Sequence, residues 1–506
     1  MAIDFYRAMK ETYVNSDANV SVTENGALGY RTTGRALLDL NFAISSLRSA
    51  PDAKIIKKFS AACAEDLDTA IAWLFFCRDC RKGVGERRLF RVCVKYLAKE
   101  FPDKLKNLLP LFAEYGRWDD LFCLAGTKLQ GHMLNLCFEQ MEKDYMAYRL
   151  NEPMSLLAKW LPSEESRVPE QRELAKLLAV KFDLTPRNYR KLISRMRKKL
   201  DVVEIKMSDE KWSDIDYNKV PSRANMIYRK AFLRHDELRR RKYLDDLEAG
   251  RKDVKINASV LMPHEIVQSY RNAGYQYDET LEALWAALPN TIPAGAETIV
   301  VADGSGSMCC RYGDEPKPID VANALAIYFA ERLGGVYHNK YITFSAWPKL
   351  VDLGGANTLH GKINIARQHN EVSNTNIEAV FDLILDTALR NKLKQEELPK
   401  NILIISDMEF DDATASNPSK RLFDAIAERY AEHDYKLPRL VFWNVCGRTG
   451  TIPVKENKLG VALVSGFSPN IARMVMSGNL DPYDCLVEQL HDERYAPVWE
   501  ALKGNG

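Results

Sequence analysis

The stretch Thr298-Ile299-Val300-Val301-Ala302-Asp303-Gly304-Ser305-Gly306-Ser307-Met308 decides the fold of the second half of the chain. An unbroken run of β-branched and apolar residues ends in a carboxylate, the pattern of a strand buried on both faces of a parallel sheet. Gly304 and Gly306 then permit a tight turn that gathers one carboxylate and two hydroxyls. A second such run, NILIISD at 401–407, also ends in Asp. Around these two lie helix patterns at 321–333, 377–391 and 421–433, and strand patterns at 340–346, 439–445 and 461–466, with a short edge strand at 350–353. The alternation predicts a doubly wound α/β sheet, whose ligands bind at the carboxyl ends of the strands near the topological switch point.

Upstream of residue 290 the pattern is almost wholly helical. Segments 36–47, 67–77, 86–101 and 132–145 carry apolar residues at i, i+3 and i+4 spacing, separated by short breaks such as RKGVGE at 81–86 and EYGRW at 114–118. Consecutive helices with short connections predict an α-solenoid or an irregular helical array, without a clean repeat period. The expected organisation is therefore α plus α/β: a helical domain over 1–290, then a sheet domain over 291–506 with C-terminal helices.

The 506 residues are 46% hydrophobic and 28% charged, the balance of a globular protein. Lys+Arg and Asp+Glu number 71 and 69, which excludes a uniformly polycationic surface. The N-terminus lacks a secretory pattern, and the strongest apolar run, AIAWLFFC at 70–77, is far shorter than the roughly 20 residues of a membrane helix. The ten cysteines are sparse for this length and read as reduced thiols. Cys77 and Cys80 form a C-x-x-C inside a helical pattern, with no second pair at zinc spacing. A cytoplasmic protein with no membrane partner is expected.

The chemistry concentrates at the strand ends. Asp303, Ser305 and Ser307 form D-x-S-x-S; Thr375, in Ser373-Asn374-Thr375-Asn376, precedes the helix pattern at 377–391; Asp407 closes the second strand. An all-oxygen set of few charges suits a hard octahedral cation, Mg²⁺ first, with Mn²⁺ or Ca²⁺ as alternatives. Residues 298–470 resemble a von Willebrand factor A domain. Its metal-ion-dependent adhesion site uses D-x-S-x-S, a later Thr and a later Asp, so the resemblance implies metal ligands at Asp303, Ser305, Ser307, Thr375 and Asp407. It also implies an open coordination position for an acidic group of a protein partner. After Asp407 many such domains have Gly, whereas this chain reads Met408-Glu409-Phe410-Asp411-Asp412. Those added carboxylates could tighten a cation or repel an acidic ligand.

No enzyme motif is complete. Neither Ser305 nor Ser307 lies in G-x-S-x-G, Gly361-Lys362 lacks the upstream Gly and following Ser/Thr of a phosphate loop, and GVGE at 83–86 lacks a third glycine. His264, in MPHEIV, reads as a capping or core residue. The chain is expected not to be an enzyme, although a metal-dependent phosphoryl hydrolase could use Asp303, Asp407 and Glu409.

Charge is unevenly placed. Residues 181–255 hold 22 Lys+Arg against 13 Asp+Glu, a surplus of nine that leaves the rest of the chain at −7. RNYRKLISRMRKK (187–199) and VPSRANMIYRKAFLRHDELRRRK (220–242) interleave cations with aromatics, as phosphate binding and base stacking require; solvated faces paired with local acids are the alternative. FCRDCRKGVGERRLFR (76–91) and EYGRWDDL (114–121) resemble signature stretches of TROVE domains, the helical ring of the Ro autoantigen and its bacterial relatives. AKWLP (158–162), DYNKVPSRANMIYRKAFLRHD (216–236) and LMPHEIV (261–267) resemble an uncharacterised TROVE-like branch more closely still. That family joins a HEAT-like helical ring to a C-terminal von Willebrand A domain, the order seen here. The resemblance implies a ribonucleoprotein component that binds small structured noncoding RNA, or single-stranded ends of misfolded RNA, without chemistry. The expected contacts are Arg78, Arg81, Lys82, Arg87, Arg88, Arg117, Arg190, Arg197, Arg223, Arg229, Lys230 and Arg234. The first six could instead pair with Asp79, Glu86, Asp119 and Asp120 between helices. A metal-dependent protein-interaction adaptor or chaperone-like scaffold without RNA binding is the second reading.

Overall fold

The computed structural model describes residues 19–310, 316–344, 347–370, 376–410, 422–447, 450–453, 462–472 and 481–504. Two compact units are present, one formed by residues 1–70 with 261–491 and the other by 71–260 with 492–506. The change of pattern near residue 290 is real, but the compact units do not follow the 290/291 boundary. The described residues 19–70 belong with the sheet, and helix Ala496–Lys503 belongs with the helical array.

The first unit is built on six strands: β3 Thr298–Asp303, β4 Lys340–Phe344, β5 Lys349–Asp352, β6 Asn401–Ser406, β7 Arg439–Asn444 and β8 Ala462–Ser465. They are ordered β5-β4-β3-β6-β7-β8, and every pairing is parallel except that of the edge strand β5 with β4. The strands stand where the apolar runs place them. β7 and β8 are buried at every residue, as the apolar runs Leu440–Trp443 and Ala462–Val464 at their centres require. Helix Pro318–Arg332 is buried over 13 consecutive residues, Pro318 to Ala330, and packs on β3, β4 and β6. The chain winds outward from β3 to β5, then returns to start again at β6. The β3/β6 junction is therefore the switch point.

The N-terminal segment adds what the sequence pattern did not show. β1 Val20–Val22 and β2 Leu28–Tyr30 form an antiparallel hairpin, and Tyr30 bridges to Ile452. The helical pattern at 36–47 breaks at Ala43 into Ala36–Phe42 and Ile44–Leu47. This break lets the segment meet the carboxyl ends of β7 and β8. Asn444 Nδ2 donates to the Phe42 carbonyl (3.0 Å), its Oδ1 accepts from Ser45 Oγ (3.2 Å), and Ser465 Oγ accepts from the Ser45 amide (2.9 Å).

The second unit is an array of helices: residues 71–78 of helix Leu67–Arg78, with Arg87–Glu100, Gln130–Leu150, Pro169–Lys181, Pro186–Lys199, Ser222–His235 and Glu237–Glu248 among them. Its core is aromatic: Phe75 meets Phe90, Phe112 and Tyr115 edge-on, and Tyr115 stacks on Tyr495 at 5.7 Å. All ten cysteines are free, Cys77 and Cys80 included. Among the described residues no helix is long and apolar enough to cross a membrane.

Asn444→Ala would strip partners from the Ser45 hydroxyl and from the amides of Cys446 and Gly447, which Asn444 Oδ1 also accepts. Its expected cost is about 2–4 kcal/mol, read as a lower urea midpoint. An unchanged midpoint would show that the N-terminal segment does not brace the sheet.

Candidate functional site

β3 and β6 pair in parallel register, with Ala302 opposite Ile405. This register brings Asp303 and Asp407 to neighbouring strand ends. Both are about 1% exposed, and Ser305 is fully buried beside them. Asp303 accepts from the Ser305 amide at Oδ1 (2.9 Å) and from Ser406 Oγ at Oδ2 (2.6 Å), while the Ser305 and Ser307 hydroxyls lie 3.1 Å apart. Burial, and next the charge of Asp407, push the Asp303 carboxyl up to about 7. The helix Glu378–Asn391 begins just after Asn376, whose Oδ1 accepts from the Ala379 amide. Thr375, Asp411 and Asp412 lie outside the described residues.

The donor set fits a hard divalent cation: two carboxylates and two hydroxyls, all oxygen. A cation between the aspartates would also remove the repulsion that raises the Asp303 carboxyl. Among the described residues, no cluster of three or more His, Cys, Asp or Glu side chains could hold a metal. The expected set contains only two such residues.

Glu409 bonds to the N-terminal segment. It is fully buried, its Oε2 accepts from the Glu24 amide (2.8 Å), and its carbonyl accepts from Asn25 Nδ2 (2.7 Å). Thr23 Oγ1 donates to the Phe410 carbonyl at 2.6 Å. The tip of the β1–β2 hairpin thus clips the loop that leaves Asp407, a loop in which Met408 adopts φ +64°. No local sequence signal links positions some 385 residues apart.

The expected RNA contacts separate by burial. Arg78 is 4% exposed, and its Nε lies 2.8 Å from Asp120 Oδ2, so it is not available to a phosphate. Asp120 also accepts from Arg91 Nε (2.7 Å) and from the Arg117 amide (3.0 Å). Arg117 forks onto Asp119 and stacks 3.9 Å over Trp160. Arg197 turns inward, donating to the carbonyls of Ala158 (2.9 Å) and Leu161 (2.6 Å). Arg78 and Arg117 brace helices, the alternative reading of the signature segments, and Arg197 braces the basic stretch from within. Gly83 belongs to the same bracing, because a Cβ there would lie 2.0 Å from the Phe76 carbonyl. Arg81 donates to the Glu114 carbonyl, Lys82 stands 4.0 Å from Asp492, and Arg229 donates to the Met226 carbonyl. Arg190 pairs with Glu165. Arg87, Arg88, Arg223, Lys230 and Arg234 have exposed side chains.

Other cations of the basic stretch, outside the expected contact set, lie on the helix Pro186–Lys199. Thr185 caps it and Pro186 opens it, while Tyr189, Ile193 and Met196 fix its buried face. Arg187, Arg190, Lys191, Ser194, Arg195 and Lys198 then line one open cavity of about 570 Å³. Arg187, Lys191, Arg195 and Lys198 make no ion pair among the described residues. Their i, i+4, i+8, i+11 spacing was the available signal.

Together these features define a two-unit protein: a helical array with one basic helix face, and a mainly parallel sheet with paired aspartates at its switch point. Residues 297–497 match the family model for a domain of unknown function (DUF7788), and 23–143 with 179–292 match another domain of unknown function (DUF2828). The chain is 30% identical over 522 residues to the uncharacterized protein L728 of Acanthamoeba polyphaga mimivirus, covering 95% of this chain and 89% of that protein. The chain belongs to the family of that protein. Among solved structures, the Ro (RSR) protein of Deinococcus radiodurans aligns with a TM-score of 0.37 and 12% identity, over 86% of this chain and 93% of that one.

Two outcomes are expected. Without divalent cation, the folded state holds a proton on Asp303 that the unfolded chain, at the ordinary 3.8, has released. The folded state therefore binds more protons between about pH 4 and 7, so this group's contribution to stability is full below about 4 and lost as pH rises through 7. Asp303→Asn should remove that fall from a pH series of urea midpoints; the same fall in the variant would assign it to another group. Separately, Arg78→Met should cost the helical unit about 2–3 kcal/mol by removing one of the two guanidinium partners of the buried Asp120. Stability within 1 kcal/mol of the parent would contradict the bracing role.

Proposed function

We propose that this chain is a non-catalytic, cytoplasmic RNA-binding protein whose helical unit grips RNA phosphates. In this reading a divalent cation, Mg²⁺ first, at Asp303, Ser305, Ser307, Thr375 and Asp407 supplies a docking point for an acidic group of a protein partner. The observation that carries the RNA reading is the cationic row on helix Pro186–Lys199. Five basic side chains share one open cavity, and only Arg190 among them is paired with a described carboxylate. A solvated structural face would neutralise such a row with acids at i±4; this helix has none in its 14 residues. Arg223, Lys230 and Arg234, exposed on helix Ser222–His235, add further open cations within the same unit. The resemblance of the signature segments to TROVE domains points the same way.

The metal reading rests on the paired, buried aspartates at the switch point. The chain's own residues there hold two carboxylates and two hydroxyls close together, and the hairpin tip fixes the loop leaving Asp407. The cation would supply charge neutralisation and one exchangeable position for a partner's carboxylate.

The test is a salt series of affinity for a structured RNA with a single-stranded tail, comparing the parent with a variant carrying Arg187→Glu, Lys191→Glu, Arg195→Glu and Lys198→Glu. The parent should show a steep negative slope of log affinity on log salt, and each lost phosphate contact should flatten it by about 0.7–0.9. Asp303→Ala should leave RNA affinity unchanged and abolish Mg²⁺ binding by calorimetry. Equal slopes for parent and quadruple variant would overturn the RNA reading. The adaptor reading would then be favoured if Mg²⁺ binding persisted.

A further inference from the structure

Beside the cationic row lies a groove with a different surface. It has a volume of about 400 Å³ and lies between helices Gln130–Leu150 and Pro186–Lys199. Its apolar lining is Phe138, Met141, Tyr145, Phe182, Leu184 and Leu192. Phe138 and Phe182 pack at 6.0 Å, and Tyr145 keeps 38% of its surface exposed while stacking on Tyr148 at 6.3 Å. Lys191 and Arg195 border both this groove and the cationic cavity. One pair of side chains therefore joins an apolar slot with aromatic walls to a surface that attracts phosphate.

We propose that the groove between helices Gln130–Leu150 and Pro186–Lys199 receives an unstacked nucleobase of single-stranded RNA, whose flanking phosphates lie along Arg187, Lys191, Arg195 and Lys198. This inference rests on the RNA reading above and deepens it: it names the part of the RNA that this face selects. The occupant must carry a flat, weakly polar body and an anionic backbone within one repeating unit, which is the chemistry of a nucleotide. In a duplex the bases are paired inside and cannot enter such a slot, whereas a single strand can turn one out. The polar groups at the rim suit a base edge. Asn188 offers both a donor and an acceptor, and the exposed Glu142 carboxylate can accept from an exocyclic amine. The same carboxylate opposes an acidic peptide, the other ligand that a cationic rim attracts.

The experiment measures binding of the full chain to a short single-stranded RNA and to an abasic strand of equal length, by fluorescence anisotropy at fixed salt. The parent should bind the base-bearing strand about ten-fold more tightly than the abasic one. Tyr145→Ala, at an exposed position, should bring that ratio close to one while leaving affinity for the abasic strand and its salt slope unchanged. Equal affinity of the parent for both strands, with the salt dependence retained, would overturn the base-binding inference and leave the phosphate reading standing. No binding of either strand would overturn both. Because the base-bearing and abasic strands are compared on the parent itself, the test does not depend on any variant folding.

Discussion

The parallel pairing of β3 with β6 is the constraint on which the first unit depends. Its register sends two strands out of the sheet side by side, each ending in a carboxylate that burial removes from water. Placing two like charges there is costly unless a proton or a cation intervenes, and the raised Asp303 carboxyl records that cost. Much of the surrounding structure serves to hold this arrangement. Ser406 and the Ser305 amide bond Asp303, the Asp407 carboxylate accepts from the Glu409 amide, and the hairpin tip holds Glu409 from outside.

The helical unit uses charge differently. Of the signature arginines, Arg78 and Arg91 are spent on Asp120 and Arg117 on Asp119, while Arg494, outside those segments, is spent on Asp79, all beside an aromatic core. Asp120 and Asp79 are fully buried, so these carboxylates depend on their guanidinium partners for compensation although the pairs add little net attraction. Arg187, Lys191, Arg195 and Lys198 on helix Pro186–Lys199 have no such use among the described residues. Two populations of arginine thus coexist in one unit, one internal and paired, the other external and open.

How much of this the sequence disclosed follows from range. The strands β3, β6 and β7 were legible because burial on both faces writes an unbroken apolar run, and the paired aspartates followed from it. The hairpin of residues 20–30 was not, since three-residue strands carry no periodicity and their partners lie near residues 409 and 452. The split of the units at residues 70 and 260 was hidden for the same reason: helical pattern says nothing about which body a helix packs against. Among the arginines, residue type alone could not separate brace from contact. Helical phase could have done so on the basic helix, where Arg197 lies out of register with Arg187, Lys191, Arg195 and Lys198 and turns inward.

The central claim is that RNA lies along the open cationic face of helix Pro186–Lys199. Ultraviolet crosslinking of a bound single-stranded RNA, followed by mass-spectrometric mapping of the modified peptides, tests it most directly. The account predicts crosslinks within residues 138–145 and 182–198. Crosslinks confined to other segments, or none from a complex shown to form, would contradict it.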